Sequence, residues 1–257
     1  MKTRLTKITA VHYVKLVYRS ALLVLGIVLY VLTHIWSDGI DFSKFNNIFS
    51  LNFGFESISL FIIWLVYFAE MLLRFFPSRL DSMGCQKQFK RNYEPTGREE
   101  PLNVSWKRTF VVTAAWLALN GIIGGLYLLG VIDAGALLLV SLTFGVCDMV
   151  CILFYCPFHS VFFKNRCCTD CRIYNWDFAM IFTPFVFVAG YWFTGTLLAL
   201  SLALLIRWEL TYKIHPERFS TNTNKCLDCA HCTEKLCRSK PQLAGYIKKN
   251  KDRLFKK

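Results

Sequence analysis

The sequence predicts an all-α protein, a polytopic bundle of about six membrane-spanning helices with a small cysteine-rich cap on the cytosolic side. Long uncharged runs are the first observation. Segments 109–131 and 178–206 contain no charged residue, and 134–163 contains only Asp148. An apolar run longer than about 18 residues is typical of a membrane span, because core helices of soluble proteins rarely stay apolar for so long. The second observation is the one-sided distribution of basic residues, described below.

The run 178–206 is too long for one span. As a single helix it would extend about 43 Å, whereas the hydrocarbon core is about 30 Å thick. Glycines and interfacial aromatic residues near 190–195 favour a turn there, so the run is divided in two. The predicted spans are 20–36, 57–76, 109–131, 134–155, 174–192 and 196–213, within a transmembrane domain at 1–215 that is followed by a basic tail at 216–257.

The basic residues indicate the orientation. All of the 30 Lys and Arg residues except Arg74 and Lys44 fall in segments that six spans place on one side of the membrane, with Arg74 near the same side. The positive-inside rule assigns that side to the cytosol, so both termini are expected there. Five spans would put the basic tail outside.

The same bias explains the net charge of +13, so no nucleic-acid partner is expected. The predicted location is a prokaryotic cell membrane. The lysine-rich tail is expected either to lie on anionic lipid or to be solvated.

The cysteines carry the functional prediction. There are 11, and clusters of cysteine on the reducing side of a membrane indicate metal or redox chemistry rather than disulfides. In the tail, Cys226, Cys229 and Cys232 follow one another at two-residue gaps, and Cys237 comes next. Such a loop suits three corners of an iron–sulfur cubane, whereas zinc sites more often use separated pairs. The spacing therefore favours iron–sulfur over zinc, with simple thiols as the third alternative.

A second group lies in the predicted loop 156–176. It consists of Cys156, which precedes a proline, and of Cys167, Cys168 and Cys171. Cys156 can join the group only if the helix unwinds before the proline, which cannot continue a helix undisturbed. The two groups together supply eight thiolates, enough for two four-cysteine clusters or for two zinc ions. We expect them to meet in one metal-bound cap.

The Cys156-Pro157 element and the Cys-x-x-Cys-x-x-Cys run from Cys226 to Cys232 resemble those of membrane-anchored ferredoxin-type, polyferredoxin-like iron–sulfur proteins. The resemblance implies one or two clusters, of the 4Fe-4S type, and electron transfer at the membrane face with a quinone or a redox protein as partner. Two alternatives remain open. One is a non-redox membrane scaffold, sensor or accessory subunit with structural zinc, and the other is a membrane thiol oxidoreductase that uses Cys168 and Cys171.

Polar residues inside the predicted spans are the remaining candidates. Asp148 lies between Cys147 and Cys151, which share a helix face. The sequence offers Asp148 no neighbouring partner, so it needs a distant one or a role such as proton relay. Glu70 is a second such carboxylate, and its i, i+4 spacing predicts an ion pair with Arg74. Cys147 and Cys151 are expected either to pack or to serve as ligands.

Overall fold

The computed structural model describes residues 7–36, 39–48, 54–77, 83–97, 106–158 and 171–227. Within these ranges the chain is helical, and its β-structure is limited to one isolated bridge between Pro95 and Asn224. The α-helices are α1 (Lys7–Trp36), α2 (Phe55–Leu73), α3 (Met83–Gln88), α4 (Trp106–Leu128), α5 (Ala134–Leu153), α6 (Asp177–Phe182) and α7 (Trp192–Ile214).

Five of these helices, α1, α2, α4, α5 and α7, are long and apolar enough to cross a membrane. Large apolar side chains such as Val17, Leu117 and Ile206 are exposed along them. Exposure of apolar surface on this scale is unfavourable in water and suits contact with lipid. The prediction of an all-α, multi-pass membrane protein is confirmed at this level.

The first helix differs from its prediction. It begins at Lys7, well before the predicted start at 20, because Lys15 and Arg19 do not end it. Both side chains find partners inside the bundle, and Arg19 is fully buried. The expectation that Arg19 precedes the first span as a cytosolic charge is therefore wrong.

The predicted span 174–192 consists of three short pieces instead of one helix. A 3₁₀ turn at Tyr174–Trp176 leads into α6, and a second 3₁₀ segment follows at Thr183–Val188. Pro184 lies at the start of the second segment, where it lacks the N–H that would continue the α-helix. Since a 3₁₀ helix rises about 2.0 Å per residue, the three pieces together extend about 27 Å.

One end of the bundle, called here the opposite end, is closed by the 3₁₀ helix Phe42–Ile48. Phe42 and Phe45 are buried, and the ring of Phe42 stacks on Phe193 at 5.3 Å. Lys44 donates a 2.7 Å hydrogen bond to Glu56 at the start of α2. This bond favours the ammonium form and raises the pKa of Lys44.

At the other end, called here the basic end, three segments meet: 86–97, 171–176 and 215–227. Asn175 Nδ2 donates to Gln88 Oε1 at 2.7 Å, and Arg172 pairs with Glu209 of α7. Arg207 Nη1 donates to the carbonyl of Phe75. These contacts hold the connections after α2 and before α6 against the last turns of α7.

Candidate functional site

A buried arginine of α1 organises the interior near the basic end. Arg19 Nε donates to Glu70 Oε2 of α2 at 3.1 Å, and Nη1 donates to Asp148 Oδ2 of α5 at 3.0 Å. The Nη1 atom also donates to the carbonyl oxygen of Gly145 at 3.0 Å. The guanidinium lies 5.7 Å from the ring centroid of Tyr67, a distance at which cation–π attraction operates. One cation therefore ties three helices together.

Two further ion pairs complete the network. Lys15 Nζ lies 3.2 Å from Glu70 Oε1, on the other side of that carboxylate. Arg74 makes a two-pronged pair with Asp177, at 3.2 Å from Nη1 to Oδ1 and 2.5 Å from Nη2 to Oδ2. The network is electrically balanced, because three cations face three carboxylates. Balance of this kind is what buried charges at membrane depth need.

Glu70 and Arg74 also have partners beyond the i, i+4 pair that the sequence indicated. Glu70 bridges to α1, and Arg74 bridges to Asp177 of α6. Tertiary partners are available to both because the two side chains point into the bundle.

A cavity of about 140 Å³ adjoins this network. It lies between α4, α5 and the segment 171–181, and its lining is mostly apolar and aromatic. Asp148 and Asp177 form part of its wall. Its cysteines, which come from three places in the sequence, are Cys147, Cys151, Cys156 and Cys171.

The position of Cys156 depends on the end of α5. That helix stops at Leu153, and Tyr155 and Cys156 lie beyond it, ahead of Pro157. Cys156 therefore lies outside the helix, as expected because Pro157 cannot continue a helix undisturbed. Its thiol shares a hydrogen bond with Cys151.

Cys171 begins the next described segment and is buried. It packs with Val112 of α4 and with Ile173, with Phe158 beside them. Phe158 and Cys171, the described residues on either side of 159–170, therefore belong to one apolar cluster. Both residues also line the cavity.

The tail is fastened to the basic end just before its cysteine run. Asn224 Nδ2 donates to the carbonyl oxygens of Lys87 and Arg218, both at 2.9 Å, and Asn224 Oδ1 accepts from the Cys226 N–H at 3.1 Å. The Lys225 N–H donates to the carbonyl of Glu94 at 2.8 Å. The first tail cysteine is thus held in place by the Asn224 side chain and by one backbone bond.

Cys226 itself contacts the segment after α3. Its Sγ donates to the carbonyl oxygen of Asn92 at 3.1 Å. Partial burial, and to a lesser degree Glu94, raise the pKa of this thiol, while Lys87 and Lys225 oppose the rise. The thiol form is therefore favoured unless a cation displaces the proton.

The structure describes only three of the eight cysteines that the sequence predicts as metal ligands. Among the residues that the structure describes, no three Cys, His, Asp or Glu side chains converge as a set that could hold a metal ion. Cys156, Cys171 and Cys226 are placed as above. The remaining five candidates, Cys167, Cys168, Cys229, Cys232 and Cys237, lie outside the described residues, as does the lysine-rich end of the tail.

Two residues of the site, Arg19 and Asp177, are not among the site candidates that the sequence predicts. The predicted first span begins directly after Arg19. Asp148 was the signal in the sequence that could have indicated a buried cation such as Arg19. A carboxylate inside an apolar span requires a cationic partner, and another helix has to supply it.

Comparison with known proteins yields no match to a family, to a curated protein or to a solved structure.

Proposed function

We propose that the protein binds an iron–sulfur cluster through cysteines at the cytosolic face of the membrane and transfers electrons there. The observation that carries the proposal is that Cys156 and Cys171 line one cavity although residues 157–170 separate them in the sequence. The other two cysteines predicted for this group, Cys167 and Cys168, lie between them in the sequence.

Cys167 and Cys168 lie outside the described residues, and in the sequence they are four and three positions before Cys171. With Cys156 and Cys171 they would supply four thiolates, which is the ligand number of a four-cysteine cluster. Zinc would accept the same four thiolates, so the ligand set favours metal without deciding which one.

The proposal requires the chain to cross the membrane six times, because six crossings place this site on the cytosolic side. The short pieces between Tyr174 and Val188 run from one end of the bundle to the other. Asn175 contacts Gln88 at the basic end, and Phe185 lies near Phe42 at the opposite end, with ring centroids 6.4 Å apart. A sixth crossing places the tail on the same side as the loop, where the positive-inside rule requires most of the basic residues.

A second function is favoured by a separate contact. The hydrogen bond between Cys151 and Cys156 makes these two thiols neighbours on the wall of the cavity. This arrangement suits a thiol oxidoreductase, although the pair differs from Cys168 and Cys171, which the sequence indicated for that function.

Anaerobic purification in detergent, with iron, zinc and acid-labile sulfide measured on the same sample, separates these functions. The proposal expects iron and sulfide in equal amounts, about four of each per cluster. Zinc without sulfide would favour the structural-zinc alternative. Metal-free protein with a reversible Cys151–Cys156 disulfide would favour the thiol oxidoreductase.

A further inference from the structure

A histidine and a carboxylate face each other at the opposite end of the bundle. His34 lies in the last turn of α1, and Asp133 is the N-cap of α5. The Nε2 atom of His34 lies 3.7 Å from Oδ2 of Asp133, which is too long for a direct hydrogen bond. The two side chains are 41% and 33% exposed. The pair is therefore accessible to ions in the surrounding water.

The orientation of the imidazole leaves its Nε2 atom as an acceptor. The Nδ1 atom of His34 lies 2.9 Å from the carbonyl oxygen of Tyr30, and only a protonated nitrogen can donate to that oxygen. In the neutral ring, Nε2 therefore presents its lone pair to the carboxylate. The Tyr30 ring packs against the imidazole, with ring centroids 4.1 Å apart. Two acceptor atoms thus face each other, and a cation between them would satisfy both.

The carboxylate of Asp133 is oriented by two hydrogen bonds of its own. Its Oδ1 accepts from the N–H of Ala136 at 3.0 Å, and the side chain also accepts from the Tyr30 hydroxyl. Gly39, whose φ of 119° favours glycine, lies beside Oδ2. A Cβ at this position would lie 3.1 Å from Oδ2 and 4.0 Å from Nε2 of His34. The two ligand atoms are therefore oriented in advance, and a side chain at position 39 would crowd the space beside them.

The separation of the two atoms matches a zinc ion. Zinc binds imidazole nitrogen at about 2.0–2.1 Å and carboxylate oxygen at about 2.0–2.2 Å, so one ion reaches two ligand atoms that are up to about 4 Å apart. At 3.7 Å the angle at the ion would be about 125°, close to that of a tetrahedral site. A histidine whose other ring nitrogen donates to a carbonyl is typical of metal ligands, as is a carboxylate that is itself hydrogen-bonded. Calcium and magnesium prefer oxygen ligands, so the imidazole disfavours both.

We infer that His34 and Asp133 bind a zinc-type divalent cation at the opposite end, with water completing its coordination. The site has two protein ligands, and no set of three converges in the part of the chain that the structure describes. The ion joins α1 to α5, the two helices that Arg19 joins at membrane depth. The inference is independent of the proposed function, because this pair lies at the other end of α5 from Cys156. A plain ion pair between protonated His34 and Asp133 is the competing interpretation.

Protection of His34 from diethyl pyrocarbonate, which modifies histidine rings, tests the inference. The full chain in nanodiscs at neutral pH is titrated with zinc, beyond the amount that its 11 cysteines can bind, and the modification of His34 is followed by mass spectrometry. Magnesium at the same concentrations is the control for ionic strength. Asp133→Asn removes the carboxylate and keeps a good N-cap for α5. The matched control Glu56→Gln removes a carboxylate from the same end of the bundle.

We expect zinc, but not magnesium, to protect His34 to saturation in the unaltered chain and in Glu56→Gln. In Asp133→Asn the zinc concentration for half protection should rise at least about tenfold, because changes around a metal ligand already cost about 10- to 100-fold in affinity. Tyr30→Phe, which removes only an orienting bond, should have an effect of the same direction and is the second test if Asp133→Asn does not fold. Zinc protection that is absent, or equal in all variants, would overturn the inference. Iron and sulfide content tests the proposed function separately.

Discussion

Arg19 Nη1 lies 3.0 Å from Asp148 Oδ2, although 129 residues separate them in the sequence. This contact joins the first helix to α5 inside the apolar bundle and gives the carboxylate the partner that membrane burial demands. It also places a fixed positive charge behind one wall of the cavity. The contacts of α1 with α2 and α5 in the bundle interior therefore depend on this buried cation.

Replacing Arg19 with Met tests this dependence. The change leaves Glu70 and Asp148 without their shared cation, and breaking a buried ion pair costs about 3–5 kcal/mol. We expect a large drop in unfolding free energy, measured by denaturant titration in detergent. Lys44→Met is the control, because its partner Glu56 lies at the more exposed opposite end. Equal small losses in both variants would contradict the role of Arg19.

Gly124 of α4 tests the packing of the segment after α6. A Cβ at Gly124 would fall 1.9 Å from the ring of Phe187, whereas one at Gly121 would meet nothing within 4 Å. Gly124→Ala should therefore cost about 1–3 kcal/mol through overpacking. Gly121→Ala, on the same helix, should leave stability unchanged or raise it by up to about 1 kcal/mol, because alanine favours the helix more than glycine does. Thermal unfolding of both variants checks the difference, and indistinguishable midpoints would argue against this contact.

Asn224 tests the fastening of the tail. Its side chain makes three of the bonds that hold 215–227 in place, so Asn224→Ala should cost about 1–3 kcal/mol locally. Faster cleavage by trypsin after Arg218 is the expected result. Lys225→Ala removes only an exposed side chain and keeps the backbone bond to Glu94, so cleavage should stay slow. Unchanged cleavage in Asn224→Ala would show that other contacts hold the tail.

Lys44 tests the six-span orientation without any engineered residue. Six spans place it outside, and they place Lys87 and Lys225 in the cytosol. An impermeant amine-reactive reagent applied to intact cells should therefore modify Lys44 alone among these three. Modification of Lys225 from outside would contradict six crossings.

The pH dependence of this labelling is a further check on Lys44. The hydrogen bond to Glu56 raises the pKa of Lys44, so its reactive neutral form appears at higher pH than for an ordinary lysine. Glu56→Gln removes the carboxylate and should move the labelling midpoint to lower pH. A midpoint that stays in place would show that the bond does not form in the membrane.

The long apolar runs were sufficient to predict four of the five long helices to within a few residues. The start of α1 was predicted too late, because Lys15 and Arg19 are charged and the uncharged run begins only after them. The sequence does not show that both point at Glu70 and Asp148, which belong to other helices. Pairing across 129 residues has no local signature.

For the cysteines, too, some features could be predicted from the sequence and others could not. Pro157 indicated that α5 could end before Cys156, and the helix does end there. This could be predicted because the effect of proline is local. That Cys147, Cys151, Cys156 and Cys171 line one cavity depends on how α4, α5 and the segment before α6 pack. The spacing of residues in the sequence does not predict such packing. The i, i+4 spacing of Cys147 and Cys151 is also compatible with two cysteines that only pack in the core.

The metal content of two matched variants tests the central claim most directly. Cys147 and Cys156 both line the cavity, but only Cys156 is a proposed ligand. After anaerobic purification, Cys147→Ser should keep the iron and sulfide of the unaltered chain, and Cys156→Ser should lose at least one cluster's worth. Equal iron and sulfide in both variants would contradict a cluster ligated by Cys156, and absence of metal from the unaltered chain would contradict the account as a whole.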